Sequence, residues 1–281
     1  MGKIHGDVVF VTGASSGIGR EIARAFMDEG YRVYGTTRKK ALQEDEVQLE
    51  KSKNSSGFIK MIRLDVCDEE SVEKAVSYVY QKEGRIDILV NNAGFGIAGS
   101  IEDTSTEEAL EQFNTNFFGV HRMCRHVVPI MRKNGGGLII NISSVAAQFS
   151  IPFQAMYSAS KYAVEALSEA LRIETRPFGI KVSVVEPGDT KTGFTQSRQY
   201  VKGSDENSVY FDTFKKSVEK MIKDETSGPG PEVVAKAVLK IAKRKNPPIR
   251  VTVGTGYKVI VFLKRFLPVR FVQYMVSKMY S

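Results

Sequence analysis

"DVVFVTGASSGIG" (Asp7–Gly19) decides the fold. Four apolar, β-prone residues, Val8–Val11, run into Thr12, and glycines follow at 13, 17 and 19. A short, continuously apolar strand is the kind that a parallel sheet buries on both faces. Behind it the loop reads as an anion cradle. Gly13 allows a tight turn, Gly17 lets backbone approach a pyrophosphate, and Gly19 permits close helix–strand packing. Ser15, Ser16 and Ile18 complete a loop whose phosphates would meet the free N–H groups and positive dipole end of the next helix. No GK[ST] follows, which argues against a nucleoside triphosphatase loop.

Outward from this unit the chain repeats the same rhythm. Strands are predicted at Asp7–Gly13, Tyr31–Thr37, Phe58–Val66, Arg85–Gly94, Gly136–Ser144, Ile180–Gly188 and Ile249–Gly254. Helical patterns over 17–29, 69–82, 107–132, 157–176 and 231–245 separate them. Alternating strands and helices imply βαβ units with right-handed crossovers. The expected fold is therefore α/β: a single doubly wound Rossmann domain with a seven-stranded parallel sheet and helices on both faces. Residues 1–255 form the expected dinucleotide-binding catalytic domain. A lid insertion at about 190–230 interrupts it, because so long a polar connection in a compact domain is usually functional. Residues 256–281 are a basic, hydrophobic tail.

Composition narrows the function. Cys67 and Cys124 give neither a disulfide framework nor metal spacing, and His5, His121 and His126 form no ligand set, so no metal is expected. The beginning lacks a charged-then-apolar leader, and Gly6 breaks the myristoylation pattern, so a cytoplasmic protein is expected. The net charge of +8 is concentrated late: from Val233 onward there are eleven Lys and Arg and no Asp or Glu, leaving 8 − 11 = −3 for the rest. No basic motif of a nucleic-acid reader accompanies it, and nucleic acid is not an expected partner.

Further motifs close each strand. "NNAG" (Asn91–Gly94) ends the fourth, "NTNFFG" carries Asn116, and Ser144 ends the fifth. "YSASK" places Tyr157 and Lys161 13 and 17 residues after Ser144, and "EPGDTKT" (Glu186–Thr192) ends the sixth. In a doubly wound sheet these segments meet at the carboxyl ends of the strands, where ligands bind. Lys161, four residues after Tyr157 on a helix, shares its face. A charge about 4 Å away contributes roughly 4 kcal/mol at an effective dielectric of about 20, or about three pKa units. That is the expected route by which the phenol becomes a general acid and base. The flanking Ala163, Ala166, Leu167, Ala170 and Leu171 read as a packing stripe, and Tyr162 as packing.

Taken together, these motifs strongly resemble the short-chain dehydrogenase/reductase family over about 6–254, with a leaning to its hydroxysteroid and retinol dehydrogenase branch. The resemblance implies that Tyr157 protonates a carbonyl oxygen or deprotonates an alcohol. It further implies that Ser144 holds that oxygen, that Lys161 holds the nicotinamide ribose, and that Asn116 holds a water in a proton relay. Ser143 competes for the serine role, and the family's spacing favours Ser144. Cofactor contacts are implied for Asn92, Ala93, Gly94, Asp65, Val66, Pro187, Gly188, Thr190 and Thr192. Thr37 stands where NAD-preferring members place an acid, with Arg38 and Lys39 next, and guanidinium suits a 2′-phosphate. The expected cofactor is NADP(H).

Phe95, Ile97, Phe149, Ile151, Phe153, Met156 and Phe194 make an apolar rim, which suits a lipophilic ketone or alcohol. Reduction of small non-lipid carbonyls and a non-catalytic NADP(H)-binding or membrane-surface adaptor are the alternatives. The tail interleaves bulky apolar residues with Lys258, Lys264, Arg265, Arg270 and Lys278, and Pro268 divides it into two short helices. Three roles fit it: lying on an anionic membrane, packing in a homodimer or homotetramer, or closing the pocket.

Overall fold

The computed structural model describes residues 3–38 and 49–280. In chain order its strands are β1 (Val8–Val11), β2 (Arg32–Thr37), β3 (Leu49–Lys51), β4 (Phe58–Arg63), β5 (Ile88–Asn91), β6 (Ile97–Ala98), β7 (Gly137–Ile142), β8 (Ile180–Pro187), β9 (Gln199–Tyr200) and β10 (Arg250–Val253). The helices are α1 (Gly17–Asp28), α2 (Glu69–Glu83), α3 (Thr106–Phe113), α4 (Gly119–Lys133), α5 (Ala155–Thr175), α6 (Phe194–Ser197), α7 (Phe211–Ser227), α8 (Glu232–Ala242), α9 (Thr255–Lys264) and α10 (Val269–Tyr280).

Eight strands form the main sheet, in the order β10-β8-β7-β5-β1-β2-β4-β3. Seven are parallel, as expected, and the eighth corrects the sequence expectation. The edge strand β3, "LEK", runs antiparallel to β4. Three half-exposed residues carry no apolar run, so pairing with β4 and not composition makes this strand.

Pleating explains the layers. Val9 and Val11 of β1 face Ile22 and Phe26 of α1 and Val238 of α8. Val8 and Phe10 point the other way, towards Val76 of α2, Val127 of α4 and Val164 of α5. Both faces of β1 are fully buried, as period-two alternation demands between two helical layers. Strand order reverses across β1, which pairs with β5 on one side and β2 on the other. That reversal opens the crevice beyond the strands' carboxyl ends.

Two further differences shape the site. The expected helix over 107–132 is broken by a π-helical turn at Asn114–Phe118 between α3 and α4. The expected apolar stripe of α5 is not its buried face: Ala166 and Ala170 are exposed. The sheet side instead carries Ser158, Ser160, Lys161, Val164, Glu165 and Ser168. Small polar residues let α5 approach closely, and their hydroxyls are paired locally, Ser160 to Tyr157 O and Ser168 to Val164 O. The insertion after β8 holds α6, β9 and α7, with Phe214 and Val218 of α7 packed on Ala98.

Candidate active site

A cavity of about 700 Å³ lies at the crevice, lined by the glycine loop, "NNAG", Ser144, Tyr157, Lys161 and the segment after β8. Gly13 and Gly17 adopt φ of +65° and +56°, conformations that favour glycine. A Cβ on Gly19 would stand 2.3 Å from Gly13 O, so that contact admits no side chain. Ser16 caps α1 without a side-chain bond. The amides of the first turn thus keep their anion-binding capacity.

Thr12, which the motif reading passed over, holds this loop in place. Its buried Oγ1 accepts from Asn92 N at 2.9 Å and Ala93 N at 3.0 Å. Asn92 returns the link, its Nδ2 donating to Thr12 O and Gly13 O at 3.0 and 3.1 Å. The carboxyl ends of β1 and β5 are thereby tied together.

The four expected catalytic residues converge. The Asn116 amide, in the π-turn, accepts from Phe95 N at 3.1 Å and donates to Phe95 O and Ser160 Oγ at 3.0 and 3.1 Å. A Cβ on Gly94 would meet Asn116 Oδ1 at 3.0 Å and Lys161 Nζ at 3.7 Å. Ser144 and Tyr157 line the same cavity, with Ser144 Oγ accepting from Ala146 N at 3.1 Å. Ser143 is buried and turned towards Glu165. Lys161 Nζ donates to Ile142 O at 3.0 Å and stands 5.8 Å from the Tyr157 ring centroid.

The electrostatics overturn one expectation. Burial, reinforced by Glu225, pushes the Tyr157 hydroxyl up to about 12 against the opposing Ser144 bond and Arg198. Burial likewise brings Lys161 down to about 8, opposed by Glu165. Loss of hydration is thus the first cause at both groups, and it moves the phenol up where the spacing predicted a fall.

Elsewhere the expectations divide. Ser15, Ser16, Ile18, Arg38, Val66, Asn92, Ala93, Gly94, Pro187, Gly188, Thr190 and Thr192 line the cavity, whereas Lys39 lies outside the described residues. Asp65 uses its carboxylate in a turn, accepting from Cys67 N at 2.9 Å. Phe95 and Phe194 line the cavity, with the Phe194 and Tyr157 rings 5.6 Å apart. Ile97 is buried in β6, Phe153 packs on Phe214, and Phe149 lies beneath Lys264. Tyr162 is 40% exposed and donates to Gln148 O, so it anchors a loop and not the core. Sequence reasoning missed Glu225, whose carboxylate lines the cavity and is held by Arg198 and by Thr195 Oγ1. Glu225 and Arg198 sit 27 residues apart in the insertion, and no spacing links them. His126 pairs with Glu69 near the surface.

Comparison with known proteins follows this geometry. Residues 7–202 match the family described as short chain dehydrogenase. The chain is 42% identical to a 3-ketodihydrosphingosine reductase of Bacteroides thetaiotaomicron, over 98% of both chains. A short-chain dehydrogenase structure from Streptomyces avermitilis superposes with a TM-score of 0.78 at 32% identity, covering 97% of each chain. A 3-ketoacyl-(acyl-carrier-protein) reductase from Brucella melitensis, complexed with NADH, gives 0.71 at 26% identity, covering 90% of this chain and 98% of that one.

Proposed function

The chain belongs to the short-chain dehydrogenase family and is an oxidoreductase of it, and from that premise we propose an NADP(H)-dependent reductase of a lipophilic ketone. The observation that carries the chemistry is the convergence of Ser144, Tyr157 and Lys161 on one wall of the cavity, with Lys161 buried.

The residues fit a nicotinamide dinucleotide. Gly13 and Gly17 hold left-handed backbone, Gly19 has no room for a Cβ, and α1 offers its N-terminus to a pyrophosphate. Thr190 and Thr192 would hold the nicotinamide end and Lys161 the ribose, since all three line the cavity. When bound, the nicotinamide supplies the hydride. Arg38 at the end of β2, with Thr37 where an acid would favour NAD, supports the 2′-phosphate form.

On the substrate side, Ser144 Oγ and the Tyr157 hydroxyl orient the carbonyl oxygen, and Tyr157 donates the proton. A phenol raised to about 12 carries the proton that reduction needs, and it is a weaker acid than free tyrosine. Asn116 keeps the Phe95 backbone and Ser160 in register behind the reacting groups. Phe95, Ile151 and Phe194 provide an apolar wall. The relative named for 3-ketodihydrosphingosine supports a long-chain keto lipid as the substrate class.

The test is NADPH and NADH consumption with 3-ketodihydrosphingosine, a steroid ketone, retinal and a small carbonyl. Preference for the long-chain ketone with NADPH is expected, and turnover confined to the small carbonyl refutes the lipid reading. Arg38→Asp is expected to lower the NADPH-over-NADH ratio at least tenfold; an unchanged ratio removes the cofactor argument.

A further inference from the structure

Half of the large apolar side chains that are exposed among the described residues lie in the last two helices and their connector. Phe266 and Val269 are 72% exposed, Phe262 58% and Phe271 47%. Scattered apolar residues are ordinary on a protein surface, but a contiguous run over two helices marks an interaction site.

The inward sides of the two helices are fixed. Tyr257, Val261 and Lys264 make the half-buried stripe of α9, and Val272, Val276 and Tyr280 that of α10. Tyr257 bonds Asp189 through its hydroxyl, and its ring fills the space over Gly188. Lys264 bonds Gln148 O. Asp189 and Gly188 line the active-site cavity, so Tyr257 seats α9 behind part of its wall.

Charge identifies the occupant. Lys258, Arg265, Arg270 and Lys278 are exposed and interspersed through residues 255–280, a segment without Asp or Glu. None of the four makes an ion pair among the described residues. A twofold contact between copies would set this cationic patch against itself. An anionic lipid surface complements both properties at once, with cations at the headgroups and Phe, Leu and Met side chains at the acyl boundary. No helix among the described residues is long and apolar enough to cross a membrane.

We infer that α9 and α10 form a docking surface for an anionic bilayer.

The experiment is co-sedimentation of the full chain, without cofactor or substrate, with phosphatidylcholine vesicles with and without phosphatidylserine. Binding is expected to the phosphatidylserine vesicles only, and to weaken with salt. Arg265→Gln with Arg270→Gln should weaken it about fivefold per cation, about 30-fold for the pair. Phe266→Ser with Leu267→Ser should abolish it with charge unchanged. Denaturation curves check folding, and the arginine variants, altering only exposed charges, keep the test valid if the apolar pair fails to fold. Equal sedimentation of wild type and both variants overturns the inference. So does a dimer in light scattering that the Phe266/Leu267 variant dissolves without changing vesicle recovery.

Discussion

Thr12→Val isolates the strut behind the glycine loop. Valine reproduces the shape of threonine but cannot accept a hydrogen bond, so the amides of Asn92 and Ala93 lose the partners they now have at 2.9 and 3.0 Å. Thr12 is 1% exposed, and water cannot readily replace the hydroxyl. Each buried donor left unpaired costs about 1–3 kcal/mol, giving about 2–6 kcal/mol for two. The gain from burying valine's extra methyl is about 0.8 kcal/mol. A net loss of about 3 kcal/mol is expected, a large part of a typical stability of about 5–15 kcal/mol. With a urea slope of about 3 kcal/mol per molar, the midpoint should fall by about 1 M. Thr12→Ser keeps the acceptor and should lose less than about 1.5 kcal/mol. Because Asn92, Ala93 and Gly94 line the cavity, NADPH binding should weaken in the valine variant and persist in the serine one. A valine variant within about 0.5 kcal/mol of wild type, or a serine variant equally damaged, refutes the strut.

Two more perturbations probe the same cavity. Gly19→Ala forces a Cβ to within 2.3 Å of Gly13 O, a backbone atom that cannot swing away; a stability loss of about 1–3 kcal/mol and at least tenfold weaker NADPH binding are expected by denaturation and fluorescence titration. Lys161, held near 8 by burial, is charged below that pH and neutral above it. If its charge supports turnover, reductive kcat/KM should be level on the acid side and fall as pH rises through about 8, and Lys161→Arg, charged throughout, should move the fall to higher pH. A profile unchanged by that substitution contradicts the assignment.

The parallel sheet was legible because its strands are short apolar runs closed by glycine or asparagine motifs, and because periodicity alternates between two and 3.6. The glycine loop and the Ser144–Tyr157–Lys161 series were legible because their spacing is fixed along the chain. Features made by pairing or direction were not. The strand "LEK" exists because β4 offers an edge. The π-turn at Asn114–Phe118 changes one backbone ladder without altering the apolar pattern. Phe153 and Phe194 are chemically alike, but one packs on α7 and the other lines the cavity. The Tyr157 proton affinity was misjudged because Coulomb attraction can be read from spacing, whereas burial requires the fold.

The most direct measurement is single-turnover reduction of the long-chain ketone by wild type and Tyr157→Phe, each preloaded with NADPH. The account predicts a rate lower by about 10²–10⁴-fold in the phenylalanine enzyme, with NADPH affinity unchanged. A rate within a few-fold of wild type would contradict Tyr157 as the proton donor.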